Sequence, residues 1–292
     1  AKAKELGLDR DPIRRGCFLS LLKGEMPKQV EELLPLTQKL NQILQEYLIT
    51  GGLMHAVNDF KSRQSISFTK YELYIRSLMG DVAKLGREER TARQILAALI
   101  KRQGSCISWL SLKKDTDILS PLTIEQYAKM FEEMFVADIF YFLDFNKGTA
   151  RYSHPDKKAY VINPFIFHAL RGWSINPTGD YFKEANQYTA DSANTARMLE
   201  AVLGDHLARA AYNLHPTDVY DPSMRVFFWK TKKQEEVDFV MKYEDGLFPI
   251  ELKYQNTIHS DDYRVIKKFK SGVLLTKDTC EKKGTYNAVP LA

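Results

Sequence analysis

Apolar positions recur along this chain in helical runs first and in strand-like runs later. Up to about residue 90 the spacing is helical. QKLNQILQEYLITGG carries Leu40, Ile43, Leu44 and Tyr47 on one stripe, and Gly51-Gly52 supplies a stop. A polar stretch, KSRQSISF, leads into a second helical run, YELYIRSLMGDVAKL. Ile95, Leu96, Leu99 and Ile100 mark the next amphipathic helix, and a shorter one is expected around Trp109 to Lys114. A third opens at Ser120-Pro121, with Ser as N-cap and Pro in the first helical position. Its apolar face would hold Ile124, Tyr127, Phe131, Met134 and Phe135. Two strand-like segments follow, DIFYFLDF and KAYVINPF, joined by the polar NKGTARYSHPDK.

Three helices and a two-stranded wing read as a winged helix-turn-helix over residues 91–172. Gly172 to Asn186, with GWSINPTGD, reads as a linker. The last unit starts with a helix and then alternates strands and turns. VFFWK, EVDFVMKY and LFPIELKY are strands, DDYRVIKKF is helical and SGVLLTK is a fourth strand. The expected class is therefore α+β and multidomain: a helical segment at 1–90, the winged helix at 91–172, and at 173–292 an α/β domain with a small mixed sheet.

Composition adds bounds. The 292 residues, 44% of them hydrophobic, suffice for two or three compact units. A net charge of +5 permits a nucleic-acid partner without requiring one. Cys17, Cys106 and Cys280 form no C-x-x-C and have no His cluster beside them, so neither zinc nor a disulfide framework is indicated. A reducing cytoplasm fits best. No apolar run approaches the ~20 residues of a membrane span, and the polar start AKAKELGLDR is no signal peptide. Lacking an initiator Met, the chain reads as a fragment, and its ending at AVPLA as clipped. No G-x-x-x-x-G-K-[ST] occurs, so a nucleoside triphosphate is not expected to bind through a P-loop here.

The chemistry concentrates in EEVDFVMKYEDGLFPIELKYQ, where charges interrupt two apolar strands. Asp245-Gly246 is a strong turn signal. With those two as the loop residues, symmetric pairing sets Asp238 opposite Lys253 and Val240 opposite Glu251. Asp238, Glu251 and Lys253 then share one face, and Phe239 and Leu252 the other. Opposed residues lie ~5 Å apart and diagonal ones ~7–8 Å, so two carboxylates could share a divalent cation beside an ammonium. That set suits metal-assisted phosphodiester hydrolysis, in which the cation polarises the phosphoryl group and acidifies a bound water. An ordinary cross-strand ion pair, worth under ~1 kcal/mol when exposed, accounts for the same spacing.

The pattern VD238 followed by IE251-L-K253 resembles the signature of PD-(D/E)XK nucleases. That family commonly adds a glutamate on a preceding helix, for which TARMLEAVLGDHLARAAY offers Glu200. The ordered set YLITGGLMHAV, the winged-helix-like unit, MLEAVLGDHL, FFWKT, EEVDFV, IELKY and VLLTKD is similar to the C-terminal half of archaeal and bacterial AAA-type ATPases. In those proteins a P-loop domain precedes a helical lid, a winged helix and a nuclease-like domain. This chain has Met54 where the group's G-G-x-P has proline, and Lys230 where arginine is common after the tryptophan.

The resemblance implies Glu200, Asp238, Glu251 and Lys253 as catalytic residues, with Asp238, Glu251 and Glu200 holding Mg²⁺ or Mn²⁺. It implies DNA as substrate or partner, an ATPase core upstream of residue 1, and ATP only through that core. The alternative is an inert nuclease-like and winged-helix module that mediates protein or nucleic-acid contacts for the ATPase. Outward positions expected on the third helix (Thr123, Glu125, Gln126, Lys129, Glu132 and Glu133) include acidic side chains that repel phosphate and favour a structural or protein-contact role. Lys230, Lys232, Lys233, Lys267, Lys268 and Lys270 could line a phosphate-binding rim or form a solvated charged face. No G-x-S-x-G appears, and His206 reads as a packed histidine on the apolar face of the Glu200 helix.

Overall fold

A computed structural model describes residues 15–215, 220–255 and 257–292. Residues 1–14 of the expected N-terminal helical unit lie outside the described residues. That unit otherwise comprises α1 (Arg15–Leu22), α2 (Lys28–Leu33), α3 (Thr37–Thr50), α4 (Met54–Arg63) and α5 (Phe68–Lys84). Helix α3 stops where the glycine pair predicts. Gly51 takes the left-handed φ of 58° and its N–H returns to the Tyr47 carbonyl at 2.8 Å.

The elements expected between residues 91 and 172 are present as α6 (Glu89–Arg102), α7 (Trp109–Lys113), α8 (Pro121–Glu133), β2 (Ala137–Asp144) and β4 (Lys157–Val161). Two short strands join them: β1 (Cys106–Ile107), and β3 (Thr149–Ala150) inside the polar connection. Two expectations for α8 need correction. Phe135 lies past the helix end at φ 54° and is exposed, meeting the Tyr220 ring instead of the core. Glu132 does not point outward; it turns down to accept the Ile139 N–H of β2 at 3.3 Å.

The expected linker is mostly helix. Asn163 caps α9 (Pro164–Ile175) by accepting the Phe165 and Ile166 N–H groups, and five residues separate α9 from α10 (Tyr181–Ala190). Next come α11 (Ser192–Leu214), β5 (Val226–Lys230), β6 (Glu236–Tyr243) and β7 (Gly246–Lys253). The chain closes with β8 (Gly272–Thr276), β9 (Glu281–Lys283) and β10 (Tyr286–Pro290). DDYRVIKKF does not form the expected α-helix but two 3₁₀ turns, Ser260–Tyr263 and Ile266–Lys268.

One mixed sheet runs β1-β4-β2-β5-β6-β7-β8-β10-β9, with β3 on the edge of β2. Its central join is a parallel pairing of β2 with β5, Tyr141 against Phe227 and Phe142 against Phe228. The sheet is therefore continuous across the boundary expected at residues 172–173. Helix α11 lies on one face, where Leu203 and Leu207 cluster with Phe140, Tyr160, Phe239 and Met241. Tyr263, Ile266 and Phe269 of the 3₁₀ segment cover the other face over Phe227, Val237, Val240 and Leu274. Among the described residues no helix is long and apolar enough to cross a membrane.

The approach of α11 to the sheet is set by Gly204. A Cβ there would sit 2.9 Å from the Phe140 ring and 3.0 Å from that of Phe239. Gly204→Val should accordingly destabilise the protein by about 1–3 kcal/mol through overpacking. Urea unfolding monitored by circular dichroism measures this; an unchanged midpoint would mean that α11 can lift without cost.

Candidate functional site

The site forms where β6 is irregular. Pairing with β5 shifts from Phe227–Val240 to Trp229–Val237, which leaves one extra residue on β6 at Asp238–Phe239. Such a bulge breaks strict alternation and re-aims a side chain. On the other side, β6 pairs with β7 from Tyr243–Gly246 to Phe239–Ile250. The turn residues are thus Glu244 and Asp245, with Glu244 itself at φ 52°. The expectation of an Asp245-Gly246 loop was one residue out, and the same register continued sets Asp238 across from Glu251 rather than Lys253.

Beyond Phe239–Ile250 side chains replace the main-chain ladder. Asp238 Oδ2 accepts the Leu252 N–H at 2.9 Å, and Glu251 Oε2 accepts the Asp238 N–H at 3.0 Å. Lys253 Nζ donates to Glu251 Oε1 at 2.7 Å. The cross-strand salt bridge expected between Asp238 and Lys253 is replaced by this pairing along β7. Glu200, on the sheet-facing side of α11, accepts from the Tyr160 hydroxyl at 2.5 Å.

Lys158 of β4 joins these groups. Its Nζ lies 2.6 Å from Glu200 Oε1 and 3.4 Å from Asp238 Oδ1, and it also pairs with Glu236. The Lys158 side chain is only 1% exposed. Lys230 Nζ flanks Glu236 at 3.4 Å and Asp156 at 3.8 Å. Glu200, Asp238, Glu251 and Lys253 are therefore brought into one connected network. The carboxylate oxygens lying within 4.8 Å of one another, however, belong to Glu200, Glu236 and Asp238. Glu251 is not one of that trio; its oxygens accept from Lys253 and the Asp238 N–H.

Sequence reasoning missed Lys158, Tyr160 and Glu236. Two signals were available: Glu236 stands two residues before Asp238, and Lys158 and Tyr160 share a strand face with period two.

The electrostatics follow from burial. It pushes the carboxyls of Glu200 and Glu251 above the usual range, and the neighbouring Asp238 charge adds to both. Burial alone would depress the Lys158 ammonium, but Tyr160 and the carboxylates of Glu200, Asp238 and Glu236 more than reverse this, leaving it well above an ordinary lysine. For Glu236 burial is likewise outweighed, chiefly by Lys158, and its carboxyl is held low. The Cys106 thiol, 3.3 Å from Glu236, is pushed up to about 12 by burial and that carboxylate, so it is no thiolate nucleophile at neutral pH.

The other expected groups lie apart from this centre. Lys232, Lys233, Lys267 and Lys270 are exposed, while Lys268 sits 3.5 Å from Glu235. His206 packs edge-on against the Tyr47 ring while keeping part of its surface exposed.

Residues 196–292 match the model of a domain of unknown function, DUF4143, which occurs at the C-termini of AAA-type ATPases. Residues 41–176 match that of a second domain of unknown function, DUF8612. No curated protein and no solved structure matches the chain. The two matched regions meet in the cluster: Lys158 and Tyr160 come from the first in chain order, Glu200, Glu236 and Asp238 from the second.

Two outcomes are expected. Lys158→Met, which strands carboxylates around an apolar side chain, should cost about 3–5 kcal/mol of stability in urea unfolding. The second concerns Asp138, a buried carboxyl on β2 whose Oδ2 has no hydrogen-bond partner among the described residues. Burial first, then the Asp205 and Glu132 charges, push it up to about 8. An acid raised in the folded state holds its proton more tightly there, so its contribution weakens stability as pH climbs from its unfolded value of about 4 towards 8. His168, lowered to about 4 by burial, acts oppositely but only below about pH 6.5. The melting temperature should therefore fall between about pH 6.5 and 8.5, and fall less in Asp138→Asn. An identical slope in both proteins would refute the assignment.

Proposed function

We propose that this chain is the C-terminal part of an AAA-type ATPase in which a nuclease-like α/β sheet and a winged-helix unit act as a non-catalytic module that docks a protein partner for the ATPase. ATP would act only through a P-loop domain outside this chain. The observation that carries the reading is the internal pairing of the acidic centre. Lys158 contacts Glu200, Glu236 and Asp238, and Lys253 is committed to Glu251. Groups that a nuclease would direct at a metal and a phosphate are turned towards one another.

The surface of the winged-helix unit favours protein over DNA as the partner. Leu119 and Leu122, before and within the first turn of α8, are exposed, as is Leu110 of α7. Glu125 and Glu133 lie on the same helix beside the exposed Gln126 and Lys129, and their charge repels phosphate. A second reading, a metal-dependent deoxyribonuclease, is favoured by the convergence of Glu200, Asp238, Glu251 and Lys253 in one network.

Cleavage separates the two readings. Plasmid, single-stranded DNA and branched junctions incubated with Mg²⁺ or Mn²⁺ should survive with the wild-type chain as with Asp238→Ala. Nicking that disappears in Asp238→Ala would establish the nuclease instead.

A further inference from the structure

The resemblance to PD-(D/E)XK nucleases implies a divalent metal at Asp238, Glu251 and Glu200, and the residues present do not fit one. The oxygens of Glu200, Glu236 and Asp238 are close enough to share a cation, within 4.8 Å of one another. A cation already stands among them: Lys158 Nζ is 2.6 Å from Glu200, 3.4 Å from Asp238 and paired with Glu236. Both oxygens of Glu251 are already engaged, one by the Asp238 N–H and the other by Lys253. A dication and an ammonium within the same few ångströms, among carboxylates that are only partly exposed, would repel each other strongly.

Nor is Lys158 a surface lysine free to swing away. Its strand is paired on both sides, Lys158 standing against Cys106 of β1 and Phe140 of β2. The side chain is enclosed as well, so the ammonium has no open solvent to swing into.

We infer that Lys158 is the resident cation of this centre: its ammonium takes the position of a divalent metal, so that the chain holds no Mg²⁺ or Mn²⁺ there, and removal of the ammonium creates a divalent-cation site of Glu200, Glu236 and Asp238. The inference deepens the non-catalytic reading and rests on it. It also gives the contact between the two family-matched regions a chemical content. The region of residues 41–176 supplies the counter-ion, and that of residues 196–292 supplies the anions.

The test is titration of Mn²⁺ alone into the whole chain, followed by the paramagnetic resonance of free Mn²⁺ and by calorimetry. Wild type should show no site that Asp238→Asn removes. Lys158→Met should gain one site, tighter by at least about 100-fold because a unit charge about 4 Å away is gone. Lys158→Met with Asp238→Asn should lose it again. If Lys158→Met is unfolded without metal, Mn²⁺ should restore a cooperative melt. If it stays unfolded with Mn²⁺, the wild-type titration against Asp238→Asn decides alone.

A wild-type site abolished by Asp238→Asn would overturn the inference, as would a folded Lys158→Met that binds no better than wild type. These outcomes are separable from failure of the functional reading. Wild type that binds Mn²⁺ at Asp238 without cutting DNA sinks the inference alone. Cleavage that persists in Asp238→Ala sinks the non-catalytic reading alone.

Discussion

The architecture depends on one electrostatic constraint: carboxylates packed between a helix and a sheet must find their partners from within. Glu200, Glu236, Asp238 and Glu251 crowd one end of β6 and β7, and burial of even one unpaired charge would cost several kcal/mol. Lysine meets the requirement in a way arginine would not. Its compact ammonium has three N–H donors, and Lys158 meets three carboxylates. A planar guanidinium would serve one or two of them in bidentate fashion and leave the rest. The remaining carboxylate, Glu251, takes Lys253 from its own strand at 2.7 Å. Within the cluster each acid thus has an ammonium or a main-chain N–H as partner.

That solution sets demands on the backbone. Lys158 reaches the cluster only because β4 pairs with β2 and β2 pairs in parallel with β5, which carries the sheet across from one family-matched region to the other. The bulge on β6 brings Asp238 to Lys158, and the parting of β6 from β7 lets Asp238 and Glu251 exchange side-chain bonds for the missing main-chain ones. Apolar packing supplies the rest of the join through Phe140, Tyr160 and Phe239, whose rings meet at 5.1–5.9 Å between centroids.

What could be read from the chain divides along the range of the interactions. Helical stripes, the Gly51 stop and the grouping of Glu200 with Asp238, Glu251 and Lys253 are local patterns, or pairs of them joined by a resemblance. Lys158 belongs to a strand 80 residues before Asp238, and nothing periodic announces that β2 will lie parallel to β5. Parallel pairs require long crossovers, here one that includes β3, β4 and three helices, and those erase any hairpin signal. The register error had a subtler cause. Asp-Gly is the favoured turn pair, yet here Glu244 accepts the positive φ and the loop moves back by one residue. The 3₁₀ turns are indistinguishable from an α-helix in the sequence because Tyr263, Ile266 and Phe269 recur every third residue, a spacing that serves three residues per turn as well as 3.6.

A tethered cation behaves differently from a bound metal, and the difference bears on what the centre is for. Metal occupancy varies with free concentration and can be stripped by a chelator; Lys158 is present at unit stoichiometry and is tethered to β4. A nuclease needs the opposite, a cation that can meet incoming phosphate with open coordination positions. The cluster as built is closed on itself, which suits a joint better than a reaction centre. Aromatic packing alone would tolerate some sliding of β4 over α11, whereas three donors and three acceptors are satisfied together in one register. The charges that look misplaced in EEVDFVMKYEDGLFPIELKYQ are therefore accounted for by an ammonium contributed from β4.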